Sequence, residues 1–419
     1  MRSSEPKTIT IESITPVFVG SGETAKPISY VAGKNIIHLL GFDNFLRCLG
    51  KEKQQAYIDW IESLTDKLSA LGQRITAARN DPDLRQELIR ERRTVERELS
   101  IERFIRTHLD IDPLPFVRSE GLTSYSIPFT AFPGSNGFKL CLKDCRGRPY
   151  MPGTEIKGAL RTSLLSALLS EDMHYKKLTR RIEDFRKVFY SSFPRKEKMR
   201  KLREISALLE SDILRGKKKD AKFDLLKFVQ VSDSTRASID SLRIEATQSL
   251  GSRGYTQTFI ETITKGQKSN FQISINERLK DSDRWVLEEL GLDKGYLTKI
   301  LDVGMLLEAS YVRSKTILEE EKKYPYPVTI QNQIEELETI NQKNSPLLRL
   351  GTGQGFLSIT VDTHVKARNP ELFNGAIREG VSCQRRWKTQ RGNFPKTRRV
   401  VVDAGRNATS LLGWVKLRP

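Results

Sequence analysis

Cysteine and histidine are scarce in this 419-residue chain, at four each. Four cysteines do not make a disulfide framework. Cys141-x3-Cys145 has no second pair near it, because Cys48 and Cys383 are remote and the nearest histidine is His174. A four-ligand zinc site is therefore not expected. His38, His108, His174 and His364 have no cysteine or carboxylate at a motif spacing, so a histidine-centred catalytic site is not expected either. No stretch approaches the roughly 18 apolar residues of a membrane span. Met1-Arg-Ser-Ser-Glu-Pro-Lys7 lacks the apolar core of a signal peptide. These absences predict a cytoplasmic protein with reduced thiols, no membrane partner, no metal and no cofactor. The sequon Asn407-Ala-Thr409 has no consequence there.

Acidic charge is also in deficit. Lys plus Arg number 71 against 52 Asp plus Glu, a net charge of +19. A surplus of that size implies a polyanionic partner, most commonly nucleic acid. Hydrophobic residues at 37% still suffice for a folded core of one to three domains.

The periodicities alternate between strand and helix. Thr8–Gly20 alternates apolar and polar residues, many of them β-branched, and predicts a strand that breaks into a turn at Gly20-Ser21-Gly22. Ser29–Leu39 predicts a second strand, and a helix starts at Phe42–Cys48. Residues 51–109 are rich in Glu, Arg, Lys, Gln and Leu, with apolar residues at helical spacing and a break at Asn80-Asp-Pro82. They predict a helical hairpin inserted into a β-containing core. Residues 113–150 predict irregular strands or a hairpin. Residues 176–203 hold 12 Lys or Arg against 3 acidic residues, with Phe185, Phe189, Tyr190 and Phe193 interleaved. Phe223–Asp233, 242–263 and 269–275 predict strands, 281–318 a helix broken at Gly304, and 332–341 a short helix. The tail, 356–419, mixes strands with a basic loop. Strand pairs alternating with helices predict an α+β fold. The expected organisation is a core begun by 1–50, a helical insertion at 51–110, the remaining core at 111–280 and a C-terminal region at 281–419.

Tyr150-Met-Pro-Gly-Thr-Glu-Ile-Lys-Gly-Ala-Leu-Arg161 is the most informative stretch. Pro152-Gly153-Thr154 reads as a turn feeding a helix that runs to about Leu169, with Thr154 as N-cap. A helix start offers free N–H groups and the positive end of the dipole to a phosphate. Gly153 permits close backbone approach. Lys157 and Arg161 share one face, and Gly158 keeps the surface beside them thin. On these residues alone, a capped helix with a surface lysine and arginine is the stronger reading.

Two further stretches suit a polyanion. Gly351-Thr-Gly-Gln-Gly355 can present backbone N–H groups to phosphate, but it lacks the spacing and the Lys-Ser/Thr of a nucleotide loop. Gln384–Arg399 holds seven basic residues and no acidic one, with Trp387 and Phe394 as stacking faces. Its candidate contacts are Arg385, Arg386, Trp387, Lys388, Lys396, Arg398 and Arg399. Catalysis looks thin: His38 ends a predicted strand, and Asp43 suits helix capping.

Pro152-Gly-Thr-Glu-Ile-Lys-Gly-Ala-Leu-Arg161 resembles the Pro-Gly-Ser-Ser-Leu-Lys-Gly-Ala-Leu-Arg signature of the RAMP superfamily of CRISPR-associated proteins. Thr154 and Glu155 replace its two serines, and Glu155 brings a charge the pattern lacks. Ile14–Glu23 resembles the family's opening strand and glycine turn, and Arg349–Phe356 its late glycine-rich loop. Phe228–Ser234, Pro395–Arg398 and Leu411–Trp414 resemble the fifth-subunit group of type III-A (Csm) effector complexes. The resemblance implies a modified RRM-like (ferredoxin-like) sheet with helical insertions. It implies a subunit without a nuclease centre that caps the crRNA 3′ end and the end of the backbone filament. The implied RNA contacts are Gly20, Ser21, Gly22, Gly153, Thr154, Lys157, Gly158, Arg161, Gly351, Gly353, Gln354 and Gly355, with the basic residues named above. The implied partners are crRNA, target RNA in the assembled complex, the neighbouring backbone RAMP subunit, other Csm subunits and transiently docked crRNA-trimming nucleases. Two alternatives stay open: an endoribonuclease of the same superfamily and a type III-D backbone subunit.

Overall fold

The computed structural model describes residues 5–215, 224–251, 257–276, 288, 299–375 and 395–419. The first part of the chain forms β1 (Lys7–Ser13), β2 (Gly20–Ala25), β3 (Tyr30–Ala32), β4 (Ile36–Leu40), α1 (Phe42–Ala77), α2 (Pro82–Glu98), α3 (Ile101–His108), α4 (Pro113–Ser119), β5 (Thr123–Pro128) and β6 (Phe138–Cys141). The middle forms α5 (Gly153–Leu168), α6 (Asp172–Phe189), α7 (Arg195–Leu214), β7 (Val229–Val231), β8 (Leu242–Leu250), β9 (Thr258–Ile263) and β10 (Lys268–Ile275). The last part forms α8 (Val303–Lys322), α9 (Val328–Ile340), β11 (Leu347–Arg349), α10 (Gly355–Ile359), α11 (Asp362–Arg368), β12 (Arg398–Val402), β13 (Ala408–Ser410) and β14 (Trp414–Arg418).

One sheet has the order β11-β14-β1-β10-β7. β1 runs antiparallel to both β10 and β14, and β10 antiparallel to β7. In chain order β1, α5, β7, β10, α8 and β14 make a β-α-β-β-α-β unit with spatial order 4-1-3-2, the ferredoxin-like arrangement. β11 adds one edge strand beside β14. The inward alternation of Ile9, Ile11 and Ser13 explains why this strand is central, since all three are buried. The α5 face carrying Ile156, Leu160, Leu164 and Leu168 is buried at helical spacing in the same core as the sheet. Everything else is inserted between these six elements. A second sheet, β13-β12-β8-β9-β6-β2, and a third, β3-β4-β5, come from the insertions.

Several local expectations change. The predicted strand over 8–20 ends at Ser13, because Val17, Phe18 and Val19 are all buried and carry the chain out of the first sheet. Gly20-Ser21-Gly22 is not a tight turn. It opens the edge strand β2, whose register against β6 shifts between Gly20 and Thr24, and Gly22 takes φ 93° there. The single strand expected at Ser29–Leu39 is the β3–β4 hairpin. Residues 113–119 are helical instead of extended. The basic stretch 176–203 is divided between α6 and α7, which pack together. Gly304 lies in the first turn of α8, where Asp302 caps the Met305 N–H at 3.2 Å, so it breaks nothing. Most of 281–302 falls outside the described residues. Among the described residues no helix is long and apolar enough to cross a membrane.

Candidate nucleic-acid interface

The backbone at the very start of α5 is engaged within the fold. Pro152, not Thr154, occupies the N-cap position and supplies no side-chain cap. The Gly153 N–H instead donates to Asp233 Oδ1 at 2.9 Å, so the chain's own carboxylate occupies the positive end of the helix. The close approach that Gly153 permits is equally internal. A Cβ there would stand 2.5 Å from the Val231 carbonyl oxygen. Met151 N–H donates to Ser234 Oγ, and Ser234 N–H to the Met151 carbonyl. The turn before α5 and the loop after β7 are thus zipped together.

The two cations that follow are spent the same way. Lys157 Nζ donates to the Val229 carbonyl at 2.7 Å, and Arg161 Nη1 to Asp224 Oδ1 at 2.7 Å. Arg215 reaches the other Asp224 oxygen at 2.8 Å. Burial pushes the Lys157 ammonium below its usual value, with Arg161 adding to it and Asp224 opposing. Burial alone would raise the Asp224 carboxyl, but its hydrogen bonds from Arg161 and Arg215 outweigh that and hold it low. Lys157 and Arg161 do share a face as the spacing predicts, but that face fastens β7 and the turn before it. Thr154 and Gly158 remain exposed on α5.

The glycine-rich loop is different. Gly351 and Gly353 take φ 63° and 95°. A Cβ on Gly351 would stand 2.1 Å from the Phe18 carbonyl oxygen, and one on Gly353 2.6 Å from Leu412 Cβ. Only glycine lets the loop thread between these two segments. Past that constriction, Gly353, Gln354 and Gly355 line a cleft of 380 Å³ whose facing wall is Pro395, Thr397, Arg398 and Arg399. The structure therefore brings the glycine-rich loop and the end of the basic stretch together. Arg385, Arg386, Trp387 and Lys388 lie outside the described residues.

Under the cleft sits a largely buried ion cluster. Glu321 is 1% exposed and accepts from Arg349 Nη1 at 3.0 Å, Arg398 Nε at 2.6 Å and Tyr326 Oη at 2.7 Å. Burial would raise this carboxyl, and the two guanidinium groups hold it low instead. Arg398 is thus a floor contact, with Nη1 also donating to the Pro395 and Thr397 carbonyls. Among the described residues, neither the Arg399 guanidinium nor the exposed Lys396 ammonium has an acidic partner. Glu321 was missed in the sequence because it belongs to the run Glu319-Glu320-Glu321, which reads as a solvated face. A signal existed: position 321 continues the apolar row of Ile317 and Leu318 by four and three residues.

Ser21 lines a separate cavity of 600 Å³ with Glu23, Tyr125, Lys143 and Arg146. Lys143 is committed to the buried Glu261 at 2.6 Å, and Glu261 also accepts from the Cys141 N–H and the Tyr125 hydroxyl. The Cys141 thiol is pushed up to about 12 by burial and by Glu261, a poor prospect for metal ligation. Among the described residues no group of three or more His, Cys, Asp and Glu could hold a metal ion. His38 is buried, with Nδ1 2.8 Å from Ser126 Oγ. Asp43 lies exposed in the first turn of α1.

The RAMP superfamily family model matches residues 10–358. A curated relative from Methanocaldococcus jannaschii, the CRISPR system Cms protein Csm5, is 23% identical, with 97% of this chain and 87% of the relative covered. Two solved structures share the fold. One is a chain of a Csm-crRNA-target RNA ternary complex of a type III-A CRISPR-Cas system, with TM-score 0.65, 19% identity, and coverage of 98% of this chain and 99% of the other. The second is the crystal structure of T. onnurineus Csm5, with TM-score 0.61, 19% identity, and coverage of 97% and 99%.

Proposed function

The chain belongs to the RAMP superfamily, and from that premise we propose that it is a Csm5-type, non-catalytic crRNA-binding subunit of a type III-A effector complex. In this reading it caps the crRNA 3′ end and the end of the backbone filament. The observation that carries it is the cleft where the glycine-rich loop meets the basic strand entry. Backbone N–H groups of Gly353–Gly355 and the charges of Arg399 and Lys396, which have no acidic partner among the described residues, are suited to a phosphate chain. Gly20, Ser21, Gly22, Thr154 and Gly158 would extend the contact beyond the cleft. Residues 1–50 and 111–280 would form most of the core and 51–110 an inserted arm, while 281–419 would complete the core with α8 and β14 and carry the cleft. Target RNA, the neighbouring backbone RAMP subunit and other Csm subunits would be its partners in the assembly. The superfamily relationship and the likeness to a chain of a Csm-crRNA-target RNA ternary complex and to T. onnurineus Csm5 support this reading.

The test has two arms. In a mobility-shift assay, Lys396→Glu with Arg399→Glu should weaken binding of labelled crRNA at least about tenfold, the loss of two phosphate contacts. Unchanged affinity in a folded double variant would defeat the cleft. In the second arm the protein is incubated with repeat RNA and with a guide–target duplex, with and without Mg²⁺. No cleavage is expected, and cleavage abolished by His38→Ala or Asp43→Ala would establish the endoribonuclease alternative instead.

A further inference from the structure

The α6–α7 hairpin carries charge that the cleft does not use. Within 176–203 the structure sorts the cations into two sets. One set is internal. Arg181 holds Asp212 on α7 at 2.5 Å, Lys177 donates to the Asp212 carbonyl, and Lys198 caps the end of α6 on the Phe189 and Ser191 carbonyls. The other set faces solvent. Lys176, Arg180 and Lys187 lie on one exposed stripe of α6, and Lys196 and Arg200 are exposed on α7. Helical rise places Lys176 and Arg180 about 6 Å apart and Arg180 and Lys187 about 10 Å apart along the axis. Glu183 lies exposed between Arg180 and Lys187 on this stripe, and the exposed Asp172, one turn before Lys176, is held by Arg368. Lys187 is 77% exposed and only 4.0 Å from Asp184, too loose a pair to neutralise it.

The turn joining the two helices adds the second observation. Tyr190 is 71% exposed and Phe193 40% exposed. Tyr190 stands edge-on to Phe189, and the Lys201 ammonium lies 4.7 Å over the Phe193 ring. Exposed rings on the same hairpin as Lys176 and Arg180, which have no acidic partner among the described residues, are the elements of a single-strand platform, with bases on rings and phosphates on cations. A solvated helix face accounts for interleaved charges but not for two large exposed rings at its end, and a typical protein-binding patch is depleted of lysine at its centre. The opposite face is anchored, since Leu178 is buried in the main core and the Arg368 guanidinium lies 3.9 Å over the Tyr175 ring.

We propose that the α6–α7 hairpin is a second single-stranded RNA contact, with phosphates on Lys176, Arg180 and Lys187 and bases stacked on Tyr190 and Phe193. This rests on the RNA-binding reading above and extends the RNA's footprint away from the cleft.

Fluorescence anisotropy of the full chain with a labelled oligouridylate, over a series of salt concentrations, tests it. Three variants are compared: Lys176→Glu/Arg180→Glu/Lys187→Glu, Tyr190→Ala/Phe193→Ala, and the cleft pair Lys396→Glu/Arg399→Glu. All five hairpin positions are exposed or at the surface turn, and circular dichroism checks that the variants fold. The charge variant should bind about tenfold or more weakly, with a log–log salt slope shallower by about two. The aromatic variant should lose about tenfold with its slope unchanged. Unaltered affinity and slope in both hairpin variants overturns the inference. If the cleft pair still weakens binding in that case, the proposed function stands and the hairpin faces a protein. If all three variants bind as the unmodified chain does, both readings fall together.

Discussion

At the scale of single residues, Lys157 and Arg161 illustrate how a cation can be conspicuous in a sequence and unavailable in a structure. Arg161 bridges to Asp224, which Arg215 also holds, and Lys157 closes on the Val229 carbonyl. Reversing Arg161 would set two carboxylates against each other and release Arg215's partner. Arg161→Glu should therefore cost on the order of 2–3 kcal/mol of stability, the scale of a lost charged hydrogen bond. Chemical denaturation read by circular dichroism checks this. An RNA-binding loss in a variant of full stability would show instead that Arg161 faces the ligand. Arg399 is the contrasting case, because nothing among the described residues neutralises it.

At the scale of elements, the contact between the Pro152-Gly153 turn and the loop after β7 decides the geometry of the core. It fixes α5 against the edge strand of the first sheet through Asp233, Ser234 and the bare Gly153 backbone. Gly153→Ala must push a methyl group into the Val231 and Ser232 backbone, which has no flexible end to yield. The expected cost is about 1–3 kcal/mol or somewhat more, seen as a lowered thermal midpoint. An unchanged midpoint would mean that the two segments separate freely. The glycine-rich loop is held by the same kind of contact, with Thr352 N–H on the Phe18 carbonyl at 2.9 Å. Rigid loop backbone is what lets its N–H groups serve a ligand without an ordering cost.

At the scale of the whole molecule, two buried histidines and a half-buried one make stability depend on pH. Burial lowers His38, His174 and His364 below the ordinary histidine value, helped by Arg118 at His38 and by Lys177 at His174. The unfolded chain then binds more protons than the folded one once pH falls through about 6.5, the unfolded value. Stability is full above that point and declines below it, as these groups must charge in an unfavourable setting. Glu321 and Asp224, both held low by arginines, add a further loss when pH falls through the ordinary carboxylate range. A thermal midpoint that drops steadily from pH 7 to about 5 is expected. A flat profile across that window would show that the histidines are already solvated.

Local pattern alone was enough for the α+β class, the strand of Thr8–Ser13, the helix after Pro152 and the helices on either side of Asn80-Asp-Pro82. Periodicity is a property of neighbours in sequence, and those elements depend on little else. The family resemblance was likewise carried by short contiguous blocks. Which cations stay free could be settled only by tertiary structure. Asp224 lies 63 residues from Arg161, and Glu321 lies 28 from Arg349 and 77 from Arg398. No spacing rule pairs charges across such distances. The 4-1-3-2 strand order and the internal use of the α5 start have the same origin. An ion pair or a helix end is claimed by whatever the fold brings within about 3 Å, and that is decided by chain closure over hundreds of residues, not by the residues on either side.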